Sequence, residues 1–258
     1  MSQDTDATRL PAPGGDAIRR ELAAVVPCYN AGGRVRGVVE GLGAILDHVI
    51  VVDDGSTDGS AASLEGLPAR VVAFPENRGK GFAMLAGFRA ALEDPVIQCV
   101  AIIDADGQHD PAELSQLYAA FAGQNADLVI GTRTFDMAHV PFRSRLGNKT
   151  TATVTRLLLG KAIPDTQSGY RLHSRRLLEH LLQILEGGRY ETEMEILVEA
   201  VKGGYTVLPV PIQTLYEEGN PSSHFNKIRD SFRIYQRLVA TALRRRPPRR
   251  TGTPEHER

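Results

Sequence analysis

The sequence predicts an α/β fold, a mostly parallel central sheet flanked by helices and closed by a C-terminal helical extension. Three observations predict it. Short apolar, β-rich runs alternate with longer stretches of helical periodicity from about residue 22 to residue 131, the pattern that right-handed crossovers turn into parallel strands. Two of these runs, within 48–60 (HVIVVDDGSTDGS) and 100–111 (VAIIDADGQHDP), end abruptly in carboxylates, glycines and hydroxyls. Strands of an open α/β sheet end so where their carboxyl ends face a ligand crevice, so both clusters should line one pocket. No segment repeats at a fixed period, which excludes a solenoid.

The elements follow in order. Residues 1–20 are polar and rich in proline and glycine, a flexible lead without the apolar stretch of a signal peptide. β-rich apolar runs place strands at 22–27, 48–53, 70–74, 99–104 and 126–131. Helical spacing places helices at 33–46, 80–92 and 111–124, with a short one after Asp58. Asp110 and Pro111 supply the cap and first position of the third of these helices. Beyond Arg133 the character changes. Residues 143–159 form a basic, partly amphipathic helix, and Ser174 caps a helix carrying Leu177, Leu178, Leu181 and Leu182. Another helix is expected at 193–202, and 205–212, broken by Pro209 and Pro211, reads as an edge strand.

The last helix spans 225–243. Ile228, Phe232, Tyr235, Val239 and Ala242 recur there at helical spacing, interleaved with Arg229, Arg233 and Arg237. Such a helix suits an anionic membrane surface, or else packs against the domain with a solvated tail. The tail, 244–258, opens with five arginines by residue 250 and has no apolar face, so it is expected to be disordered. The organisation is therefore a lead at 1–20, one domain at 21–243 and a basic tail at 244–258.

Composition narrows the function. The 258 residues are 42 % hydrophobic, enough for one large core. Thirty basic against 31 acidic residues give a formal charge of −1, so no global field favours nucleic acid. Cys28 and Cys99 sit in apolar surroundings and read as buried thiols of a reducing compartment. No apolar run is long enough for a transmembrane helix. A cytoplasmic protein is expected, with peripheral contact at the inner face of the membrane as the further option.

Asp104 and Asp106, one residue apart at the end of an apolar run, project from the same side of an extended segment. With the amide oxygen of Gln108 behind them they are hard donors suited to Mg2+ or Mn2+ that keeps positions open for phosphate oxygens. The alternative is an acidic strand-to-helix turn whose carboxylates are simply solvated. The neighbouring His109 is a poor Mg2+ ligand. A nicotinamide enzyme is disfavoured, because the first strand leads into PCYNAGG without the glycine spacing of a dinucleotide fingerprint.

Taken together, PCYNAGG at 27–33, VVDDGSTDGS at 51–60, ENRGKGFAMLAGF at 76–88, DADGQHDP at 104–111 and GTR at 131–133 resemble the GT-A glycosyltransferases of family 2. The match is to the polyprenyl-phosphate group, which includes the dolichol-phosphate mannose synthases and their bacterial relatives. It extends through DTQSGYR at 165–171 and ETEMEI at 191–196, covering about residues 22–235. The resemblance implies a GT-A fold with a Rossmann-like nucleotide-binding half. It implies an inverting, metal-dependent enzyme that moves a hexose from a nucleotide sugar, of GDP-mannose or UDP-glucose type, to a polyprenyl phosphate.

Carried over by position, the resemblance assigns Pro27 and Tyr29 to the nucleoside and Asp54 to the base, with Val52, Lys80, Ile103 and Ala105 also about the nucleotide sugar. Ala31 stands where the eukaryotic synthases usually have Glu. Asp104 and Asp106 match the metal and diphosphate carboxylates, Gln108 the third metal ligand and Arg133 a cation facing the phosphates. His224 is the nearest candidate to cover the diphosphate from the C-terminal loop. Asp165 completes the catalytic set and, with Gln167, approaches donor sugar or acceptor; its alternative is a backbone cap in a turn. Helix-start packing explains Gly79 and Gly81 beside Lys80 equally well. Arg143 and Arg145, near Asn148, are placed to hold the acceptor phosphate, because guanidinium forks match its oxygens; the alternative is an exposed basic helix start. A hydroxyl acceptor would instead need a carboxylate base, for which Glu191, Glu193 and Asp165 are available. A non-catalytic nucleotide-sugar-binding protein is a third option, disfavoured by the presence of both metal carboxylates and Arg133.

Overall fold

The computed structural model describes residues 15–133, 156, 165, 166, 168–189 and 191–213. Among the described residues seven strands form one sheet, ordered β3-β2-β1-β4-β6-β5-β7. β1 (Leu22–Cys28), β2 (His48–Asp53), β3 (Arg70–Ala73) and β4 (Cys99–Ile102) pair in parallel, as do β5 (Leu128–Arg133) and β7 (Val207–Ile212). Only β6 (Arg171–Ser174) runs antiparallel, between β4 and β5.

Side chains alternate across the sheet. Leu22, Ala24 and Val26 of β1 join a core layer with α2 (Arg34–Gly43) and α4 (Leu114–Gln124). Ala23 and Val25 face a second layer built from α3 (Lys80–Leu92), α5 (Arg175–Ile184) and α6 (Glu191–Gly203). Because both faces are covered, β1, β4 and the Val49–Val52 stretch of β2 are apolar throughout rather than alternating. The chain lays β2 and β3 to one side of β1 and then crosses to place β4 on the other, which opens a crevice at the carboxyl ends of β1 and β4.

The capping signals act as expected. Asp110 Oδ1 accepts from the Ala112 N–H at 2.9 Å, starting a 3-10 turn at Pro111–Glu113 that leads into α4, and Ser174 Oγ accepts from the Leu177 N–H at 3.1 Å. β7 takes its expected place at a sheet edge, where Pro209 and Pro211 cost no inner ladder bonds.

Two expectations are corrected. Residues 15–20 are not part of a flexible lead but lie in a helix, α1 (Gly15–Glu21), pinned by buried Ile18 and by Arg19. The Arg19 Nε donates to Asp47 Oδ1 at 2.8 Å, and the Asp47 N–H donates to the Arg19 carbonyl at 3.1 Å. β6 is a strand that the sequence reading leaves inside the DTQSGYR motif and the helix cap. It forms because Leu172 completes the ladder between Ala101 of β4 and Val129 of β5. Apart from Arg156, the helix expected over 143–159 lies outside the described residues, as do residues 1–14, the last helix at 225–243 and the tail at 244–258. Among the described residues no helix is long and apolar enough to cross a membrane.

Candidate active site

The loops after β1 and β2 are laced into one wall of the crevice. Asn30 takes a left-handed turn (φ 49°), its Oδ1 accepts from the Thr57 N–H at 2.9 Å, and its own N–H donates to Ser56 Oγ at 3.0 Å. Asp58 Oδ2 and Ser60 Oγ both accept from the Gly32 N–H, at 2.7 and 2.9 Å. The lacing leaves Tyr29 37 % exposed beside half-buried Pro27, while Val52 and Cys28 are buried beneath them. Cys28 is a core thiol, as expected, and burial pushes its pKa up.

Asp54, expected at the base, is almost fully buried and clasps a loop. Its Oδ1 accepts from the Arg78 N–H at 2.7 Å, and its Oδ2 accepts from the Gly79 N–H and Asn77 Nδ2, both at 2.9 Å. Burial raises its pKa against the pull of the Arg78 and Gly79 amides. Gly79, at φ 115°, then turns the chain into α3, in a conformation that side chains rarely adopt. Asp54 therefore fixes the loop from which Lys80 emerges.

Lys80 reaches across the crevice. Its Nζ lies 2.6 Å from Asp104 Oδ1 and 2.9 Å from Glu193 Oε1. Burial pulls the ammonium down, but Asp104 and Glu193 outweigh it and hold its pKa well above the usual lysine range. Asp104 follows β4 between buried Ile103 and Ala105. Burial opposes its ionisation, yet Lys80 and more distant cations hold its pKa below the usual carboxylate value. Asp106 goes the other way, raised by burial and then by the Asp104 charge. A turn at Gly107 brings the Gln108 N–H to donate to Asp106 Oδ1 at 3.0 Å.

Asp106, whose charging the Asp104 carboxylate makes costlier, would suit a divalent cation together with Asp104 and the amide oxygen of Gln108, because the ion would relieve that repulsion. Among the described residues no group of three His, Cys, Asp or Glu side chains could hold a metal, so such a site rests on Asp104, Asp106 and the Gln108 amide. His109 is buried behind them, its ring centroid 5.2 Å from that of Tyr170, and its Nδ1 has no partner among the described residues.

Arg133, at the end of β5, meets Asp165. Its Nε donates to Asp165 Oδ2 and its Nη2 to Oδ1, both at 2.7 Å, and its main-chain N–H adds a third bond to Oδ2 at 3.0 Å. This is a bidentate, charge-assisted fork that fixes the guanidinium plane. The loop bearing Asp165 is held by Arg171, a fully buried guanidinium. Its Nε donates to the Ser168 carbonyl at 2.8 Å, Nη2 to the Thr166 carbonyl at 2.6 Å and Nη1 to the Glu193 carbonyl at 2.7 Å.

The structure thus gathers Lys80, Asp104, Asp106, Arg133 and Asp165 about one crevice, and His109 feels the charges of Asp104, Arg133, Lys80 and Asp165 together. Gln167, Arg143, Arg145, Asn148 and His224 lie outside the described residues. Sequence reasoning missed the keystone Arg171 and the Glu193–Lys80 pair. The available signals were an arginine inside the buried run Tyr170–His173 and two acids, Glu193 and Glu195, on an otherwise apolar stretch of α6.

This sheet, with paired aspartates just past the end of its fourth strand, is the architecture of the GT-A glycosyltransferases. Residues 23–182 match the model of glycosyl transferase family 2; the chain belongs to that family and is a glycosyltransferase. It is 30 % identical over 236 residues to a UDP-N-acetylglucosamine–dolichyl-phosphate N-acetylglucosaminyltransferase of Methanococcus voltae, covering 83 % of this chain and 93 % of that one. It is 38 % identical over 175 residues to the polyprenol monophosphomannose synthase of Mycolicibacterium smegmatis, covering 64 % and 65 % respectively. An undecaprenyl-phosphate mannosyltransferase of Micrococcus luteus is 28 % identical over 211 residues, covering 75 % and 83 %. Among solved structures, the glucosyl-3-phosphoglycerate synthase of Mycobacterium tuberculosis, in complex with Mn2+, UDP-glucose and phosphoglyceric acid, shares the fold. Its TM-score is 0.67 at 22 % identity, covering 89 % of this chain and 85 % of that one.

Proposed function

We propose that this chain is an inverting, metal-dependent transferase that moves a hexose from a nucleotide sugar to a polyprenyl phosphate. The observation that carries the reading is the occupancy of the carboxylates. Asp165 is forked by Arg133 and Glu193 is paired with Lys80, so two of the three acids that could deprotonate a hydroxyl acceptor are held as counter-ions. A phosphate monoester needs no such base, because its second pKa is about 6 and it is largely dianionic at neutral pH. The relatives agree with this on one side of the reaction only. Their acceptors are dolichyl, polyprenyl and undecaprenyl phosphates, whereas their sugars are N-acetylglucosamine and mannose. The donor in this reading is a nucleotide sugar of GDP-mannose or UDP-glucose type.

In this reading the nucleoside rests on the wall of Pro27, Tyr29 and Val52, against the loop that Asp54 clasps, and the diphosphate lies by Asp104, Asp106 and Gln108, covered by His224. A Mg2+ or Mn2+ held by those three residues would supply Lewis-acid stabilisation of the leaving diphosphate. Arg133, its plane fixed by Asp165, adds a pre-oriented cation, and such groups are worth about 3 kcal/mol each in a site shielded from water. Arg143 and Arg145 hold the acceptor phosphate. One of its oxygens attacks the anomeric carbon opposite the diphosphate; the new C–O bond forms as the bond to the nucleotide breaks, inverting the configuration. Positioning then matters more than proton abstraction. The last helix and the basic tail would bring the enzyme to the cytoplasmic membrane surface where the lipid lies.

The test compares acceptors and bases. Transfer to polyprenyl phosphate, abolished by EDTA and restored by Mn2+, with Glu191→Gln still active, is the expected result. Equal transfer to free polyprenol, or loss of turnover in Glu191→Gln with donor binding intact, would overturn it in favour of a hydroxyl acceptor.

A further inference from the structure

The Lys80 ammonium is shared between two acids that come from distant parts of the chain. The side chains of Lys80, Asp104 and Glu193 are 16, 29 and 9 % exposed, and charges this shielded are stable only where geometry is fixed. Three contacts fix it. The Asp54 carboxylate holds the main chain just before Lys80. Just after it, the Gly81 N–H donates to the Gly188 carbonyl at 2.9 Å, and an added Cβ at Gly81 would lie 2.7 Å from Thr192 Cβ, so α3 and α6 close directly on each other. Arg171 anchors the Glu193 carbonyl. Glu193 is therefore set by groups that do not themselves touch Asp104, and it reaches that residue through Lys80.

The two oxygens of Asp104 are unequal. Oδ1 takes the Lys80 bond, while Oδ2 lies beside Gly169, whose missing side chain leaves room there for both Oδ2 and the Lys80 ammonium. We propose that Glu193 is a positioning residue for the metal ligand Asp104: by engaging Lys80 it confines the ammonium to Oδ1 and leaves Oδ2 to a divalent cation. This rests on the metal reading above. Without the Glu193 carboxylate, Lys80 would be free to swing across both Asp104 oxygens and compete with the ion.

The experiment measures Mn2+ affinity of the full chain by titration calorimetry without nucleotide sugar, with thermal unfolding alongside. Glu193→Gln is expected to weaken Mn2+ roughly tenfold or more, the usual cost of losing a group that orients a metal ligand. Glu193→Asp keeps the charge but withdraws it from Lys80, and should weaken Mn2+ similarly. In a Lys80→Gln background, where no ammonium competes, Glu193→Gln should have little further effect, a non-additive pair. Equal losses in both backgrounds, or undiminished Mn2+ affinity in Glu193→Asp, would overturn the proposal, because Glu193 would then act by its charge alone. A wild-type chain that binds no Mn2+ would overturn the metal reading and this inference with it; binding without the coupling overturns this inference only.

Discussion

Gly169 sets how closely the Asp165 loop can approach the paired aspartates, and Gly169→Ala tests that approach. An added Cβ would lie 3.0 Å from Asp104 Cγ and 3.0 Å from Lys80 Nζ, and closer still to Asp104 Oδ2. Non-bonded carbons settle at about 3.5–4.0 Å, so the carboxylate must withdraw by roughly 0.5–1 Å. Gly169 does not have the positive φ that alanine would resist, and the atoms that must yield are side-chain ends. The fold should therefore absorb the change at the ~1–3 kcal/mol typical of overpacking. The site should not. Misplacement by 1 Å costs on the order of 100-fold in rate, equivalent to about 2.7 kcal/mol of barrier. Gly87→Ala is the control: its Cβ would lie 3.0 Å from Val25 Cγ2 and closer still to Val25 Cγ1, against β1 in the core. It should lose more stability than Gly169→Ala, because a buried β-branched side chain must yield, and still keep its kcat per folded molecule. Steady-state transfer assays beside circular-dichroism melts separate the two. Wild-type kcat/KM in Gly169→Ala, or activity in both variants falling only with the folded fraction, would refute the reasoning.

Asp54→Asn replaces a carboxylate that accepts three hydrogen bonds with an amide that has one acceptor oxygen. Bonds to a charged group are worth about 1.5–3 kcal/mol, so the melting temperature should fall and the donor KM should rise as residues 77–79 loosen; an unchanged KM in a folded variant contradicts the clasp. His173 predicts an acid sensitivity: burial and then the Arg171 charge push its pKa down to about 3, against roughly 6.5 in the unfolded chain. The stability it contributes is complete above the unfolded value and is lost as pH falls through the window between the two, at about 1.4 kcal/mol per pH unit. His173→Leu should flatten the urea-derived stability between about pH 6 and pH 4 by that slope; parallel curves for variant and wild type would show that no neutral imidazole is being buried.

Local pattern carries much of this fold. β1, β4 and the Val49–Val52 stretch of β2 are continuous apolar runs because helices cover both faces, and α3 keeps the bounds that its periodicity implies, Lys80–Leu92. Asp110, Pro111 and Ser174 are local signals with local consequences. β6 is different. Arg171–Ser174 reads RLHS, with neither alternation nor β-rich composition, and becomes a strand only because β4 and β5 leave a place for it. α1 is likewise decided by a partner, Asp47, that no reading of residues 15–21 reveals.

The site divides along the same line. That Asp104, Asp106, Lys80 and Arg133 gather at one edge follows from where β4, α3 and β5 begin or end, which periodicity shows. Which of them pair does not. Asp165 meets Arg133 across 32 residues and Glu193 meets Lys80 across 113, separations that no spacing rule covers. Yet pairing determines what an acid can do. Asp165 reads in sequence as an available base, but both of its oxygens are engaged by the Arg133 fork. Glu193 is likewise engaged by the Lys80 ammonium. Acids engaged in this way suit the reading proposed above, in which the nucleophile arrives already ionised, as a lipid phosphate does at neutral pH where a hydroxyl does not.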